Sequence, residues 1–137
     1  MRNSKIYLVL FAISILTFGC SIPIEEMDVC NSGVEVKNLN EEGEYYVVDT
    51  VRHGDIAHIF ASYCWSKDSL GGSHSFRWGL YDGDKCLRNG QYTPVEFGTS
   101  PFKLSFTLDT SALRKGTYDC VLYVDGKERL RVPLTIE

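Results

Sequence analysis

The chain lacks several of the patterns that mark common enzyme and metal-binding classes. It contains no C-x-x-C pair and no H-x-H or H-E-x-x-H spacing, so the zinc sites that such motifs build are not predicted. No serine lies in the G-x-S-x-G motif of a nucleophile elbow. With 14 basic against 18 acidic residues, the chain also lacks the positive charge that attracts nucleic acid. We therefore predict no enzymatic activity, no catalytic residue, no metal, no cofactor and no nucleic-acid partner.

Sustained helical spacing of apolar residues is missing as well, which argues against a helical domain. Short alternating runs take its place, separated by the hairpin-forming dipeptides Asp82-Gly83, Asn89-Gly90 and Asp125-Gly126. About seven short strands with frequent turn signals are typical of a two-sheet sandwich. We predict an all-β protein built as a two-sheet antiparallel β-sandwich.

The clearest strand signal lies near the C-terminus. One face of the first strand there is apolar and consists of Tyr118, Cys120, Leu122 and Val124. A return strand after Asp125-Gly126 places Leu130, Val132, Leu134 and Ile136 on one face. Pro133 cannot donate a ladder hydrogen bond, so this return strand is predicted at a sheet edge.

Isolated histidines and acidic residues do not assemble into a predicted site. His53, His58 and His74 are interpreted as solvated or singly hydrogen-bonded side chains. Asp82-Gly83-Asp84 matches only the start of a calcium loop, since the later ligands are missing, and a hairpin turn accounts for it.

The first nineteen residues have the layout of a signal peptide. Arg2 and Lys5 form a basic start, and an apolar stretch over residues 6–18 follows. Residues 17–20, with the sequence TFGC, resemble the lipobox of bacterial lipoproteins, although Thr17 stands where that family usually has leucine. The resemblance implies cleavage after Gly19 and a lipid on Cys20. The alternative is an ordinary secretory signal, with Cys20 lost or left as a free thiol.

The same resemblance implies an address and a domain layout. Ser21, rather than aspartate, follows the cysteine, which by resemblance to enterobacterial sorting favours an outer-membrane lipoprotein of the cell envelope, with secretion as the alternative. We divide the chain into a signal peptide over residues 1–19, a lipidated tether over 20–32 and a domain over 33–137.

Behind a signal peptide, the four cysteines other than Cys20 are expected to form disulfides. Four cysteines allow three pairings, and their spacing alone does not choose among them.

The residues Gly116-Thr117-Tyr118-Asp119-Cys120 resemble the G-x-Y-x-C motif of immunoglobulin domains. The order Cys64, Trp78, Cys120 also fits that family, and the resemblance covers residues 55–136. It implies an immunoglobulin-like sandwich with a Cys64–Cys120 bridge, Trp78 packed on the bridge, and a corner hydrogen bond from the Tyr118 hydroxyl to the backbone. Cys30 and Cys86 would then form the second pair, whereas a bridge between Cys64 and Cys86 would make the resemblance superficial.

One sheet face carries residue types that are enriched at binding hot spots. If Trp78 and Cys120 point inward, then the outward positions are Arg77, Tyr81, Val121, Tyr123, Arg129 and Arg131. An ordinary solvated sheet face is the alternative interpretation.

Together these features indicate an exported binding module of the cell envelope that presents a sheet face or loops to a protein or glycan partner. Its lipid anchor would attach it to the membrane. Two alternatives remain. One is a small inhibitor that inserts a loop, such as residues 66–73, into a hydrolase. The other is a structural subunit of an envelope assembly.

Overall fold

A computed structural model describes residues 21–37, 43–66 and 68–137. The predicted signal peptide and Cys20 lie outside these residues. The described residues form ten strands: β1 Asp28–Lys37, β2 Tyr45–Val48, β3 Thr50–Val51, β4 Ile56–Cys64, β5 Gly72–Asp82, β6 Lys85–Asn89, β7 Thr93–Phe97, β8 Phe102–Asp109, β9 Gly116–Val124 and β10 Lys127–Ile136. Single 3-10 turns cover Ile24–Glu26 and Thr110–Ala112. Within the described part of the chain, no helix is long and apolar enough to cross a membrane.

The strands form two sheets that pack face to face. One has the order β2-β1-β4-β8, and the other has the order β3-β10-β9-β5-β6, with β7 also paired to β5. All pairings are antiparallel except that of β3, which runs parallel to the end of β10 at Thr135 and Ile136. The predicted all-β, two-sheet β-sandwich is confirmed.

Alternation places the apolar side chains of the last two strands in the core, as predicted. Leu122, Val124 and Leu134 are fully buried. The Asp125-Gly126 turn joins β9 to β10 with positive φ at both residues, 52° and 83°, as a type I′ turn requires. Beside Pro133 the outer edge of β10 is uncovered, because β3 pairs only with the last two residues of β10.

The segment after β6 departs from the sequence prediction. Asn89-Gly90 does not connect two paired strands, because β6 and β7 both pair with β5, at opposite ends of that strand. The stretch around Pro94 forms β7, where Pro94 lies opposite Ser75. Proline is tolerated there because β7 is an edge strand.

The N-terminal segment belongs to the sandwich, which corrects the predicted tether over residues 20–32. Ile22, Ile24 and Met27 are 7%, 4% and 7% exposed and form part of the core. The first strand already begins at Asp28. Burial of these three side chains gives the free energy that keeps the segment on the domain.

The disulfide pairing implied by the immunoglobulin resemblance is wrong. Cys30 is bonded to Cys64, with Cα atoms 5.8 Å apart, and the bond joins neighbouring strands β1 and β4 instead of the two sheets. Among the described cysteines, Cys86 and Cys120 are free thiols. The Cys64–Cys120 and Cys30–Cys86 bridges are therefore both excluded in this structure.

The register of β4 explains the difference. Its core-facing residues are Ala57, Ile59, Ala61 and Tyr63. Cys64 consequently faces outward, whereas Cys120 lies opposite Leu80 and Val132 in the core. A strand's neighbouring positions face opposite sides of its sheet, so the two sulfurs cannot meet.

Candidate functional site

The outer surface of β5, β9 and β10 carries a cluster of aromatic and basic side chains. We call it the tyrosine-arginine face and define it as Arg77, Tyr81, Tyr92, Tyr123 and Arg131. The strand register creates it, because Arg77 lies opposite Tyr123 and Val121 lies opposite Arg131. The intervening residues Trp78 and Leu122 point into the core.

Arg77 occupies the centre of this face. Its guanidinium carbon lies 3.7 Å from the centroid of the Tyr123 ring and 5.2 Å from that of Tyr92. Its Nη1 donates to Asn89 Oδ1. Stacking between two rings and this hydrogen bond hold a long side chain in one orientation, which lowers the conformational entropy that a binding partner must remove.

The two strand tyrosines are joined through their hydroxyl groups. Tyr81 Oη and Tyr123 Oη are 2.8 Å apart, and this hydrogen bond raises the pKa of Tyr81 to about 12. Gly79 makes the arrangement possible, because a Cβ at that position would lie 2.9 Å from Cε2 of Tyr81. Both rings therefore reach over Gly79 on β5.

Arg131 is held by acidic side chains at the margin of the face. Its Nη2 lies 2.8 Å from Glu128 Oε1, and its Nη1 lies 3.6 Å from Asp119 Oδ2. The guanidinium carbon is 5.8 Å from the Tyr81 ring centroid. Since its side chain is 49% exposed, Arg131 can still contact a partner, while the carboxylates balance its charge.

Arg129 does not belong to the face, which corrects its predicted placement. A bulge between Glu128 and Leu130 turns this residue out of the strand alternation. Its Nε donates to the Val124 carbonyl oxygen, and its Nη2 lies 3.0 Å from Glu25 Oε1. Arg129 thus ties the N-terminal segment to the sandwich.

Tyr92, a member of this face, and Cys86, which lies beside it, were missed by sequence reasoning. Tyr92 is 43% exposed, but it precedes a proline-containing strand without clear alternation, so no signal assigned it to a face. Cys86 lies opposite Tyr81 in the β5–β6 hairpin and is exposed. The predicted hairpin at Asp82-Gly83 could have placed it there, had the cysteine not been assigned to a disulfide.

The residues of the immunoglobulin resemblance lie away from this surface. Trp78 is 5% exposed and packs with its ring centroid 6.3 Å from that of Phe106, not on a disulfide. The Tyr118 hydroxyl donates to the Arg114 carbonyl oxygen at 2.6 Å, the backbone hydrogen bond expected for it.

A second exposed apolar surface lies at the edge strand β2. Its large side chains Tyr45, Tyr46 and Val47 are 50%, 50% and 59% exposed, and the nearby Ile56 is 45% exposed. Tyr45, Tyr46 and Ile56 border a cleft of about 560 Å³ that also contacts Val36 and His58. We call this cleft the β2 groove. Contiguous exposed apolar surface of this kind is typical of interaction sites.

The histidines occupy separate places. His53 lies in an exposed turn, and His58 lies on the outer face of the four-stranded sheet with its ring 4.8 Å from that of Tyr45. His74 is buried, with its ring nitrogens near Asp125 and Gly71. Among residues 21–37, 43–66 and 68–137, no three His, Cys, Asp or Glu side chains come together as metal ligands.

Comparison with known proteins identifies no family. No family model matches the chain, and no curated protein matches it. Solved β-glucosidase structures from Listeria innocua, in complex with isofagomine or with glucose, are similar at 11% identity with TM-scores of 0.49 and 0.48. The alignment covers 77% of this chain and 16% of the β-glucosidase chain. A likeness at this level carries no argument about activity.

Proposed function

We propose that this protein is an exported, lipid-anchored binding module of the cell envelope that presents its tyrosine-arginine face to a protein or glycan partner. It acts without enzymatic activity of its own. The anchor is the lipid on Cys20 implied by the lipobox resemblance, and the outer membrane is the proposed location. The disulfide between Cys30 and Cys64 is consistent with an oxidising compartment.

The immunoglobulin-like character of the sandwich is part of this proposal. It is supported by the order β10-β9-β5 in one sheet facing β1-β4-β8 in the other, which is the strand arrangement of that fold. A further point of agreement is Tyr118, which lies two residues before Cys120 and donates its hydroxyl hydrogen bond to the Arg114 carbonyl oxygen. The inter-sheet disulfide of antibody domains is not part of the likeness.

The observation that carries the binding proposal is the packing of Arg77 over Tyr123, whose hydroxyl is bonded to that of Tyr81. Three side chains of the types enriched at hot spots are thus held in fixed positions on an accessible sheet face. A preorganised surface loses little entropy on binding. The fold alone does not determine a partner, so the proposal is based on these side chains.

The test is partner capture by two matched double variants. One replaces Tyr81 and Tyr123 by serine, and the control replaces Tyr45 and Tyr46 of the β2 groove by serine. We expect the face variant to remain folded, as checked by circular dichroism, but to lose the envelope proteins or glycans that the wild type enriches, while the groove variant keeps them. Equal capture by the wild type and the face variant would overturn the proposal.

A second candidate function is inhibition of a hydrolase by loop insertion. It is favoured by Leu70, which is 63% exposed in the loop before β5. Inhibition of lysozyme-like enzymes by the purified protein, abolished by Leu70→Ser, would support this function over display of the tyrosine-arginine face.

A further inference from the structure

One end of the sandwich gathers the first described residues and the loops beside them. The backbone N–H of Ile22 donates to the Gly71 carbonyl oxygen at 3.2 Å, and Gly71 N–H donates to Gly98 O at 3.0 Å. Gly72 packs so closely on Ser21 that an added Cβ would lie 2.4 Å from Ser21 Oγ. We call this surface the anchor end and define it as residues 21–22, 68–72 and 98–100 together with Trp65.

Several interactions fix the N-terminal segment to this end. Ile22 and Ile24 are buried in the core, and Glu25 is paired with Arg129. The Gly71 carbonyl oxygen that accepts from Ile22 also lies 3.0 Å from Nε2 of the buried His74. The described part of the chain therefore contains no flexible tether before the domain, because residues 21–27 are packed on the sandwich.

The anchor end exposes side chains suited to a lipid surface. Leu70 is 63% exposed at the loop tip. Trp65 is half-buried, its Nε1 donates to the Ser69 carbonyl oxygen at 2.7 Å, and its ring packs 6.4 Å from Phe97. An aromatic ring with a polar tip beside an exposed aliphatic side chain is typical of the membrane interface.

The number of residues between the lipidated cysteine and the domain limits how far the anchor end can lie from the bilayer. One residue spans at most about 3.6 Å of extended chain. A lipid on Cys20 would therefore hold Ser21, and with it the anchor end, within a few ångströms of the headgroups.

We propose that the anchor end lies directly on the phospholipid bilayer, with Leu70 inserted at the headgroup boundary and Trp65 beside it. This proposal rests on the proposed lipidation of Cys20. The ten-residue strand β1 runs away from this end, so the β2 groove stands about 30 Å farther from the bilayer. The strands that carry the tyrosine-arginine face then run roughly perpendicular to the membrane surface, and the face is exposed to the solvent. A loop seated on lipid is not available to inhibit a hydrolase, so this inference excludes the loop-insertion function.

Tryptophan quenching tests the arrangement, because the chain has two tryptophans, Trp65 at the anchor end and Trp78 in the core. Trp78 lies six residues along β5 from Gly72, about 20 Å from the anchor end. The lipidated protein is placed in phosphatidylcholine vesicles with or without bromine on the upper acyl chain. We expect bromine to quench the wild-type emission, and Trp65→Phe to remove most of that quenching.

A second pair of variants tests the same arrangement in case Trp65→Phe does not fold. Leu70→Asp should reduce the quenching of Trp65, because a carboxylate resists insertion, whereas Val47→Asp at the far end should leave it unchanged. Circular dichroism checks that both variants fold.

The outcomes separate the two proposals. Mass spectrometry of the N-terminal peptide reports whether Cys20 carries lipid. A lipidated protein whose Trp65 emission is unaffected by brominated lipid would overturn the membrane-seated orientation but leave the anchor intact. A peptide without lipid would overturn the anchored function, and this inference with it.

Discussion

Nδ1 of His74 lies 2.7 Å from Oδ2 of Asp125 and joins the start of β5 to the turn between β9 and β10. The other carboxylate oxygen of Asp125 accepts from the Ser75 backbone N–H at 3.0 Å. Asp125 also adopts the left-handed conformation, with φ of 52°, which aspartate and asparagine tolerate. One side chain thus holds the turn, the strand and a buried imidazole together.

Asp125→Ala is expected to lower the free energy of unfolding by about 2 kcal/mol, because it removes hydrogen bonds to a charged acceptor. Asp125→Asn keeps the turn conformation and an acceptor oxygen, so its loss should be smaller. Urea denaturation of both variants measures the difference. Equal losses for alanine and asparagine would contradict this prediction, because they would show that the turn conformation and acceptor oxygen kept by asparagine contribute nothing.

Two buried tyrosines should respond oppositely to loss of their hydroxyl groups. The hydroxyl of Tyr63 has no hydrogen-bond partner among the residues that the structure describes, and burial raises the pKa of Tyr63 to about 12. Tyr63→Phe is expected to raise the free energy of unfolding by about 1 kcal/mol, since an unpaired buried polar group is removed.

Tyr118→Phe is the matched control, because its hydroxyl donates to the Arg114 carbonyl oxygen. It should lower the free energy of unfolding by about 1 kcal/mol. A destabilised Tyr63→Phe variant would mean that its hydroxyl finds a partner, such as a buried water.

Thiol chemistry should distinguish the free cysteines. Burial raises the pKa of the Cys120 thiol to about 12, so this thiol stays protonated and unreactive in the folded protein, whereas Cys86 is exposed. Iodoacetamide is expected to modify Cys86 alone in the native protein spanning residues 21–137, and Cys120 only after denaturation. Non-reducing peptide mapping should recover a Cys30–Cys64 crosslink. A Cys64–Cys120 crosslink would contradict the structure.

Alkaline titration should report the contact between Tyr81 and Tyr123. The pKa of Tyr81 is raised to about 12 by its hydrogen bond to Tyr123, above the value near 10 of a free phenol. The folded state therefore holds its proton more tightly, and this stabilisation is present below pH 10 and is lost as the pH rises toward 12. Tyr123→Phe should return the Tyr81 pKa toward 10, measured by phenolate absorbance. Because Tyr123→Phe also removes one phenol, the contact is ruled out if the number of tyrosines that titrate near pH 12 stays the same.

Alternation along single strands was enough to predict much of the fold and part of the face. Tyr81 and Tyr123 lie on strands whose opposite faces are clearly apolar, so their outward orientation followed from period two. The turn at Asp125-Gly126 was equally readable, because few residues besides glycine, asparagine and aspartate accept its backbone angles.

The cysteine pairing could not be predicted, because β4 is apolar on both faces. Phe60 is 2% exposed although it points away from the core. Its ring lies against Gly33 on the neighbouring strand, and the Lys103 ammonium covers it at 4.5 Å. Neighbours on other strands hide this residue, so the local sequence contains no signal for the register that turns Cys64 outward.

Bulges removed other residues from their predicted positions. Arg129 lies at a bulge in β10, and Cys30 lies at one in β1. An extra residue reverses the side to which its neighbours point, and nothing in the surrounding sequence marks where this happens. The burial of Ile22 and Ile24 was missed for a different reason, because contacts across the domain hold a segment that has no strand pattern of its own.

The position of the Cys30–Cys64 bond has a mechanical consequence. If a partner pulls on this protein while its N-terminus is held, tension enters at the first residues and peels them from the domain. The covalent link between Cys30 and Cys64 stops this peeling and passes the load directly to β4, in the middle of its sheet. Of the described residues, only 21–29 can then be extended before the sandwich itself has to unfold.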